Sequence, residues 1–91
     1  MSDPFDSSGA WLRCALHTHT TNSDGALPPE MLVRHYEWAG FDVLAITDHW
    51  VRTAEPSTER LLVLPATELD ASMGPPGREA HVLGFGIRSD P

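Results

Sequence analysis

Two histidines separated by one residue, His17 and His19, follow an apolar run and precede the sequence Ser23-Asp24-Gly25. Side chains two residues apart in a strand point to the same face, so the two imidazoles could share a divalent cation. Asp24 lies just beyond them, where its carboxylate could add a ligand or serve only as a turn residue before Gly25. An isolated His-x-His pair also recurs in exposed strands, so on its own it indicates a metal site only weakly.

Further polar residues follow the later apolar runs of the chain. Thr47-Asp48-His49 ends a second run, and Glu68 and His81 come after it. Because most of these candidates sit at or just past the end of an apolar run, the pattern favours a metal site. The predicted ligands are His17, His19, Asp24, His49, Glu68 and His81.

Less demanding roles remain open for several of these residues. His49 could be a buried, hydrogen-bonded histidine, Glu68 a solvated carboxylate at a strand end, and His81 part of an ordinary hairpin. Asp48 should point away from the face of its neighbour His49, where it would orient a ligand or cap a helix. Two further carboxylates, those of Asp70 and Glu79, are predicted to be solvated.

A strand, a helix and a second strand are predicted to position the first ligands. The strands cover about residues 11–17 and 42–47, and the helix covers about 28–39, with Gly40 as a left-handed stop. The short connection from helix to second strand is typical of a right-handed parallel crossover, in which both strands end at the same edge of a sheet. His35 falls on the periodic helical segment, so a surface or packing role is predicted for it rather than ligation.

The first strand has two distinct sides. One side is apolar and should pack against helices, and it consists of Leu12, Cys14 and Leu16. The other side should face the interior of a sheet or barrel, and it consists of Arg13, Ala15, His17 and His19. The only cysteine of the chain is therefore predicted to be a small buried hydrophobe.

The second half of the chain is predicted to hold two more strands. Residues 50–60 read as a loop with at most one weak helical turn, too short for a full crossover helix. A third strand is predicted over 61–66, with Glu68 just past its end. A strong turn signal at 73–77 precedes a further strand over 80–87, which could return as a hairpin.

The composition indicates which partners and which location the chain could have. The chain has 91 residues, a formal net charge of −7 and no lysine, which argues against duplex nucleic acid as a partner and suits divalent cations. The first ten residues are polar and predict a disordered lead-in that lacks the features of a signal peptide. With no apolar run of membrane-spanning length, a cytoplasmic location without membrane association is expected.

At these same residues the chain resembles the polymerase and histidinol phosphatase (PHP) family of metallohydrolases. The resemblance rests on His17-x-His19, Ser23-Asp24-Gly25, Ala45-Ile46-Thr47-Asp48-His49, Ala66-Thr67-Glu68 and Glu79-Ala80-His81-Val82-Leu83-Gly84. Within the family it is closest to the small metal-dependent phosphoesterases and the carbaryl-hydrolase-like branch. It covers nearly all of the chain after residue 10, so residues 11–91 are expected to form the N-terminal portion of a PHP domain.

The resemblance implies a fold, a cofactor and a reaction. Family members fold as a distorted (β/α)7 barrel with up to three divalent ions, which here could be Zn, Mn or Fe. The implied ligand sets are His17, His19 and Glu68 for one ion, Glu68 and His81 for a second, and Asp24 with His49 for a third. A hydroxide formed from metal-activated water would hydrolyse phosphate esters, so no catalytic side chain beyond the metal ligands is predicted.

The length of the chain qualifies that expectation. An eight-stranded relative runs to about 250 residues, so the barrel is expected to be incomplete, with self-association or a second chain completing it. The expected substrate is a small-molecule phosphate ester. The alternatives are a carbamate or ester hydrolase of the same family and a truncated, non-catalytic metal-binding module.

Overall fold

The computed structural model describes residues 9–72 and 79–91, which form one four-stranded sheet and one helix. The elements are β1 (Cys14–Thr18), α1 (Pro29–Trp38), β2 (Val43–Ile46), β3 (Leu62–Ser72) and β4 (Glu79–Phe85). The strands lie in the order β1-β2-β3-β4. β1, β2 and β3 run parallel to one another, and β4 runs antiparallel to β3.

The predicted fold class, the N-terminal portion of a distorted (β/α)7 barrel, is wrong. Only the β1-α1-β2 unit alternates strand and helix as such a barrel requires. The segment of residues 47–61 joins β2 to β3 without a helix, and it contains Pro56, which opposes helix continuation. β3 then continues beyond Ala66 to Ser72 and pairs with β4 as an antiparallel hairpin. The described chain is therefore a mixed, mostly β structure.

Helix α1 begins and ends where its sequence indicates. Pro29 occupies its first turn, and the carboxylate of Glu30 lies near the positive helix end. Gly40 follows the helix with a φ of 85°, a left-handed conformation that stops it at little steric cost. Leu32 and Val33 turn inward from α1 and are its buried residues.

The hydrophobic core lies between α1 and one face of the sheet. Its buried members come from the helix, from β2 and from the start of β3, and they are Leu32, Val33, Leu44, Ile46, Leu61 and Val63. Ala15, Leu27, Tyr36 and Phe41 pack around this cluster as partly buried neighbours. Because the apolar side chains fill this face, the opposite face is available to polar residues.

Truncation of Leu44 tests this core. Leu44 is fully buried in the cluster, so Leu44→Ala should lower the free energy of unfolding by about 2–5 kcal/mol through lost burial and an unfilled cavity. Chemical denaturation measures the change, with Leu62→Ala as the control because Leu62 is 51% exposed. Equal losses in the two variants would show that the core does not lie where we place it.

An irregularity in β1 decides which face the histidines occupy. Ala15 pairs with Leu44 and Thr18 pairs with Ile46, so β1 has one residue more than β2 over this stretch. Ala15 and Thr18 therefore share the core face, and the residues on either side of Thr18, His17 and His19, lie toward the opposite face. The prediction that Ala15 shares a face with the histidines is wrong, because simple alternation does not allow for this bulge.

The predicted apolar side of β1 is also not covered in the described structure. Leu12 and Leu16 are 61% and 46% exposed, and the thiol-bearing Cys14 is exposed as well. The prediction of Cys14 as a buried hydrophobe is wrong. The single helix packs on the other face of the sheet, so nothing among the described residues covers this side of β1.

Two other predictions concern the ends of the elements. Most of the predicted disordered lead-in and the whole turn predicted at 73–77 lie outside the described residues.

None of the helices in the described ranges is long and apolar enough to cross a membrane.

Candidate metal centre

The polar face of the sheet gathers histidine and carboxylate side chains from β1, β3 and β4 and from the segments that follow β1 and β2. Within the described residues, three sets each bring three possible ligand atoms within 4.8 Å of one another. They are His17, His19 and Glu68; His19, Asp24 and His49; and His49, Glu68 and Asp70. Five of the six predicted ligands belong to these sets, and the sixth, His81, contacts Glu68 directly.

Glu68 lies at the centre of the cluster. Its Oε1 accepts hydrogen bonds from His17 Nε2 at 2.6 Å and from His19 Nε2 at 2.8 Å, and its Oε2 accepts one from His81 Nδ1 at 2.5 Å. Burial raises the pKa of the Glu68 carboxyl, but the hydrogen bonds from His81, His17 and His19 outweigh it and lower the pKa to about 2. Glu68 is therefore ionised at neutral pH despite being only 2% exposed.

Asp24 closes the other end of the cluster. Its Oδ1 accepts a hydrogen bond from His19 Nδ1 at 2.5 Å, and its Oδ2 lies 3.4 Å from His49 Nε2. The hydrogen bond from His19 lowers the pKa of the Asp24 carboxyl. Asp24 thus makes more contacts than an ordinary turn carboxylate, and its side chain is 65% exposed at the mouth of the site.

Asp48 holds the loop that carries these ligands. It is fully buried and accepts hydrogen bonds from the Thr20 N–H and hydroxyl, both at 2.6 Å, from Ser23 Oγ at 2.7 Å and from Thr53 Oγ1 at 2.5 Å. Burial raises the pKa of its carboxyl, but the hydrogen bonds from Thr20 and Thr53 lower it overall. Asp48 does not cap α1, which has no side-chain cap, and it instead fixes the loop between His19 and Asp24.

Gly25 allows that loop to close tightly. Its N–H donates to the Thr20 carbonyl oxygen at 2.8 Å. A Cβ at position 25 would collide with the carbonyl group of His19 and would lie 2.7 Å from the Thr20 nitrogen. Only glycine fits this close approach of two backbone segments.

Asp70 belongs to the cluster although it is predicted to be solvated. Its Oδ2 lies 2.7 Å from His49 Nδ1, and its Oδ1 lies 2.7 Å from His81 Nδ1. The sequence carries a signal for this placement, because Asp70 stands two residues after Glu68 in β3 and so projects from the same face. That signal appears only once β3 is known to continue past Ala66, and the prediction of a solvated Asp70 is wrong.

Glu79 and His35 are exposed, as the sequence predicts. Glu79 is 71% exposed and lies 3.9 Å from His81 Nε2, so it is largely solvated. His35 is exposed on α1, where its ring packs edge-on against Tyr36. It belongs to none of the three sets of ligand atoms found among the described residues.

Two orphaned atoms indicate that a cation fits this cluster. His49 Nδ1 and Asp70 Oδ1 are buried and make no hydrogen bond with the described residues. His49 Nδ1 nevertheless lies 2.7 Å from Asp70 Oδ2, and Asp70 Oδ1 lies 2.7 Å from His81 Nδ1. A buried polar atom without a partner costs about 1–3 kcal/mol. A divalent ion bound between imidazole nitrogens and carboxylate oxygens would remove that cost, and this donor set accommodates Zn, Mn and Fe alike.

Metal affinity should rise with pH. Burial lowers the pKa of His19, but hydrogen bonds to Asp24 and Glu68 raise it overall, and the hydrogen bond to Glu68 raises the pKa of His81. Protons therefore compete with metal for these nitrogens at and somewhat above the ordinary histidine value. Calorimetric titration with Mn²⁺ should show clearly tighter binding at about pH 8 than at about pH 6. The same affinity at both values would contradict ligation by these histidines.

No family model matches the chain, but curated proteins do. The chain is 35% identical over 80 residues to the 5'-3' exoribonuclease Rnm of Salmonella typhimurium, and 36% identical over 80 residues to Rnm of Escherichia coli. It is 34% identical over 74 residues to a 5'-3' exoribonuclease of Haemophilus influenzae. These matches cover 77–79% of this chain but 27% of each relative, so the chain spans about a quarter of their length.

The comparisons correct the predicted partner. A small-molecule phosphate ester was expected from the resemblance to small phosphoesterases, and the acidic composition argued against duplex nucleic acid. All three relatives are named for the degradation of RNA, so that prediction is wrong. The net charge misleads because it counts the carboxylates of a metal cluster as free negative charges, whereas bound divalent ions would offset them locally.

Proposed function

We propose that this chain provides the metal-binding part of a divalent-metal-dependent hydrolase that cleaves phosphodiester bonds of single-stranded RNA, and that it is related to the PHP metallohydrolases. The observation that carries the proposal is the convergence of His17 and His19 on the buried carboxylate of Glu68. The similarity to three 5'-3' exoribonucleases supports RNA as the substrate class.

Each side chain of the cluster would have a distinct task. His17, His19 and Glu68 form a set of three, which is the number of protein ligands that leaves a catalytic ion one open position. His81 would share Glu68 with that set, and Asp24 would join His49. Divalent ions held there would supply an activated water and would neutralise the phosphate oxygens. The chain needs no side-chain nucleophile for this chemistry.

The site is accessible to a chain-like substrate. The side chains of His17 and His81 are 55% and 51% exposed, whereas that of Glu68 is 3% exposed. The carboxylate of Glu68 is therefore buried at the base of the cluster, and the imidazole rings of His17 and His81 are open to solvent. A phosphate group can approach the open side without displacing any of the elements that hold the ligands.

Trp50 provides a surface for a nucleobase beside the cluster. Among the described residues it is the only non-glycine residue with a positive φ, at 58°, and its N–H donates to the Glu68 carbonyl oxygen at 3.1 Å. A bulky residue in this conformation is strained, and such strain concentrates at functional sites. The indole is 51% exposed, and aromatic side chains bind single-stranded RNA by stacking on its bases.

Replacement of Trp50 tests this role. Trp50→Ala should weaken the binding of a short single-stranded RNA by about 1–3 kcal/mol, the usual contribution of one stacked base. Fluorescence anisotropy of a labelled oligonucleotide measures the change. Trp38→Ala is the control because Trp38 is 87% exposed on α1, away from the polar face. Equal RNA binding by both variants would exclude stacking on Trp50.

The hydrolase itself is tested with the chain loaded with Mn²⁺ and single-stranded RNA labelled at its 5' end. Release of labelled mononucleotide from the wild-type chain, and its loss in His17→Ala, would support the proposal. His35→Ala is the matched histidine control and should retain activity, since His35 is exposed on α1. Metal binding without any RNA cleavage would overturn the hydrolase proposal and leave a non-catalytic metal-binding module.

A further inference from the structure

We infer that Asp70 is itself a metal ligand and that it completes an ion site with His49 and Glu68, next to His81. The carboxylate oxygens of Asp70 reach 2.7 Å from both His49 Nδ1 and His81 Nδ1. Resemblance to the PHP family assigns no such role to this position. The inference rests on the metal centre of the proposed function but not on its ribonuclease activity.

The geometry of these contacts suits the binding of a cation better than it suits hydrogen bonds. Oδ1 of Asp70 and Nδ1 of His49 are both buried, yet neither makes a hydrogen bond with the described residues. The contacts at 2.7 Å lie within ion-pair distance, but their geometry is not that of hydrogen bonds, so the lone pairs of the two atoms stay available. A divalent ion would be coordinated by the free lone pairs of both atoms at once, and it would remove the cost of burying them unpaired.

The ligand count favours the same role. The sets that the family resemblance implies leave two of the three ions with only two protein ligands each, Glu68 with His81 and Asp24 with His49. Asp70 approaches one member of each pair, because it lies opposite His81 in the β3–β4 register and also beside His49. A third ligand of this kind would give an ion site the three protein ligands that stable catalytic sites use.

The hairpin explains how β3 supplies that ligand. Asp70 lies two residues after Glu68 on β3, so both carboxylates project from the same face of the sheet. β4 then brings His81 directly across from Asp70. The next carboxylate along, Glu79, is 3.9 Å from His81 Nε2 and 71% exposed, so it does not reach the cluster in the same way.

Metal titration of carboxamide variants tests the inference. We would titrate the full chain with Mn²⁺ by calorimetry and with Co²⁺ by absorption spectroscopy, comparing wild type, Asp70→Asn and Glu79→Gln. Asp70→Asn should bind one ion fewer per chain, or bind it more than about 100-fold more weakly, beyond the loss expected of a group that only orients a ligand, and should change the Co²⁺ ligand-field bands. Asp70, Glu79 and His81 line one open cavity. Glu79→Gln should nevertheless bind metal with the stoichiometry and affinity of the wild type.

The outcomes separate this inference from the proposed function. Far-ultraviolet circular dichroism and thermal unfolding of metal-free Asp70→Asn establish that the variant folds. If a folded Asp70→Asn binds the same number of ions with the same affinity and the same Co²⁺ spectrum as wild type, Asp70 is not a ligand. Because the titration contains no RNA, a lack of ribonuclease activity would overturn the proposed function without affecting this result.

Discussion

Glu68→Gln should remove most of the metal binding of the chain. Among the residues that the structure describes, Glu68 is the one carboxylate that contacts His17, His19 and His81 together, and it is ionised with a pKa of about 2. Glutamine keeps the volume of the buried side chain but loses the charge and one acceptor oxygen. We expect metal affinity to fall by more than about 100-fold, beyond the 10–100-fold loss typical of groups that only support a ligand. Calorimetric titration with Mn²⁺ measures it.

Two variants serve as controls for the Glu68 result. Asp24→Asn should have a smaller effect, because within the described residues Asp24 contacts two histidines, His19 and His49, rather than three, and its side chain is 65% exposed. His35→Ala should leave metal binding unchanged. Equal losses in Glu68→Gln and Asp24→Asn would contradict the placement of Glu68 between two ions, and a loss in His35→Ala would place the centre elsewhere.

Asp48→Ala should destabilise the fold and weaken the metal centre together. Its buried carboxylate accepts four hydrogen bonds from Thr20, Ser23 and Thr53, and alanine would leave those donors without a partner. Hydrogen bonds to a buried charge and the cost of orphaned donors indicate a loss of about 3–5 kcal/mol in the free energy of unfolding. Because the same loop carries His19 and Asp24, metal affinity should fall as well. Urea denaturation and Mn²⁺ titration measure the two effects.

Thr53→Val provides the matched control for Asp48. It removes one of the four donors, together with the hydroxyl that accepts from Asn22 Nδ2, and keeps the shape of the side chain, so it should cost about 1–2 kcal/mol. A cost for Asp48→Ala no greater than that for Thr53→Val would show that the carboxylate does not organise the loop.

The first half of the fold could be predicted from the sequence because its signals are local. Proline at the start of α1, Gly40 at its end and the apolar runs on both sides define a strand, a helix and a parallel strand. The hydrophobic periodicity of the helix also identifies Leu32 as a core residue. Each of these signals depends on residues within a few positions of one another.

The rest of the fold depends on contacts between distant residues. The bulge in β1 follows from pairing with β2, and it moves His17 and His19 to the face opposite Ala15. The length of β3 depends on pairing with β4, because Leu69 to Ser72 are held in the hairpin ladder. Neither feature leaves a mark in the local sequence, so the third strand was predicted to end at residue 66, short of most of the ladder that it forms with β4.

The candidate site shows the same difference between features with local sequence signals and features that depend on distant contacts. The six predicted ligands occupy positions after apolar runs, and the structure brings all six to one face of the sheet. Their role as ligands remains a prediction. Asp70 was missed because its place in the cluster requires the extended β3. The RNA substrate class that we propose rests on the named relatives, and net charge, which averages over the whole chain, gives no sign of it.

The most direct test is the metal content of the chain, measured by elemental analysis after purification without chelator and repeated after saturation with Mn²⁺. The proposed centre predicts at least one ion per wild-type chain and a strongly reduced content in Glu68→Gln. A folded wild-type chain that holds no divalent metal, even after saturation, would contradict the metal centre and every function derived from it.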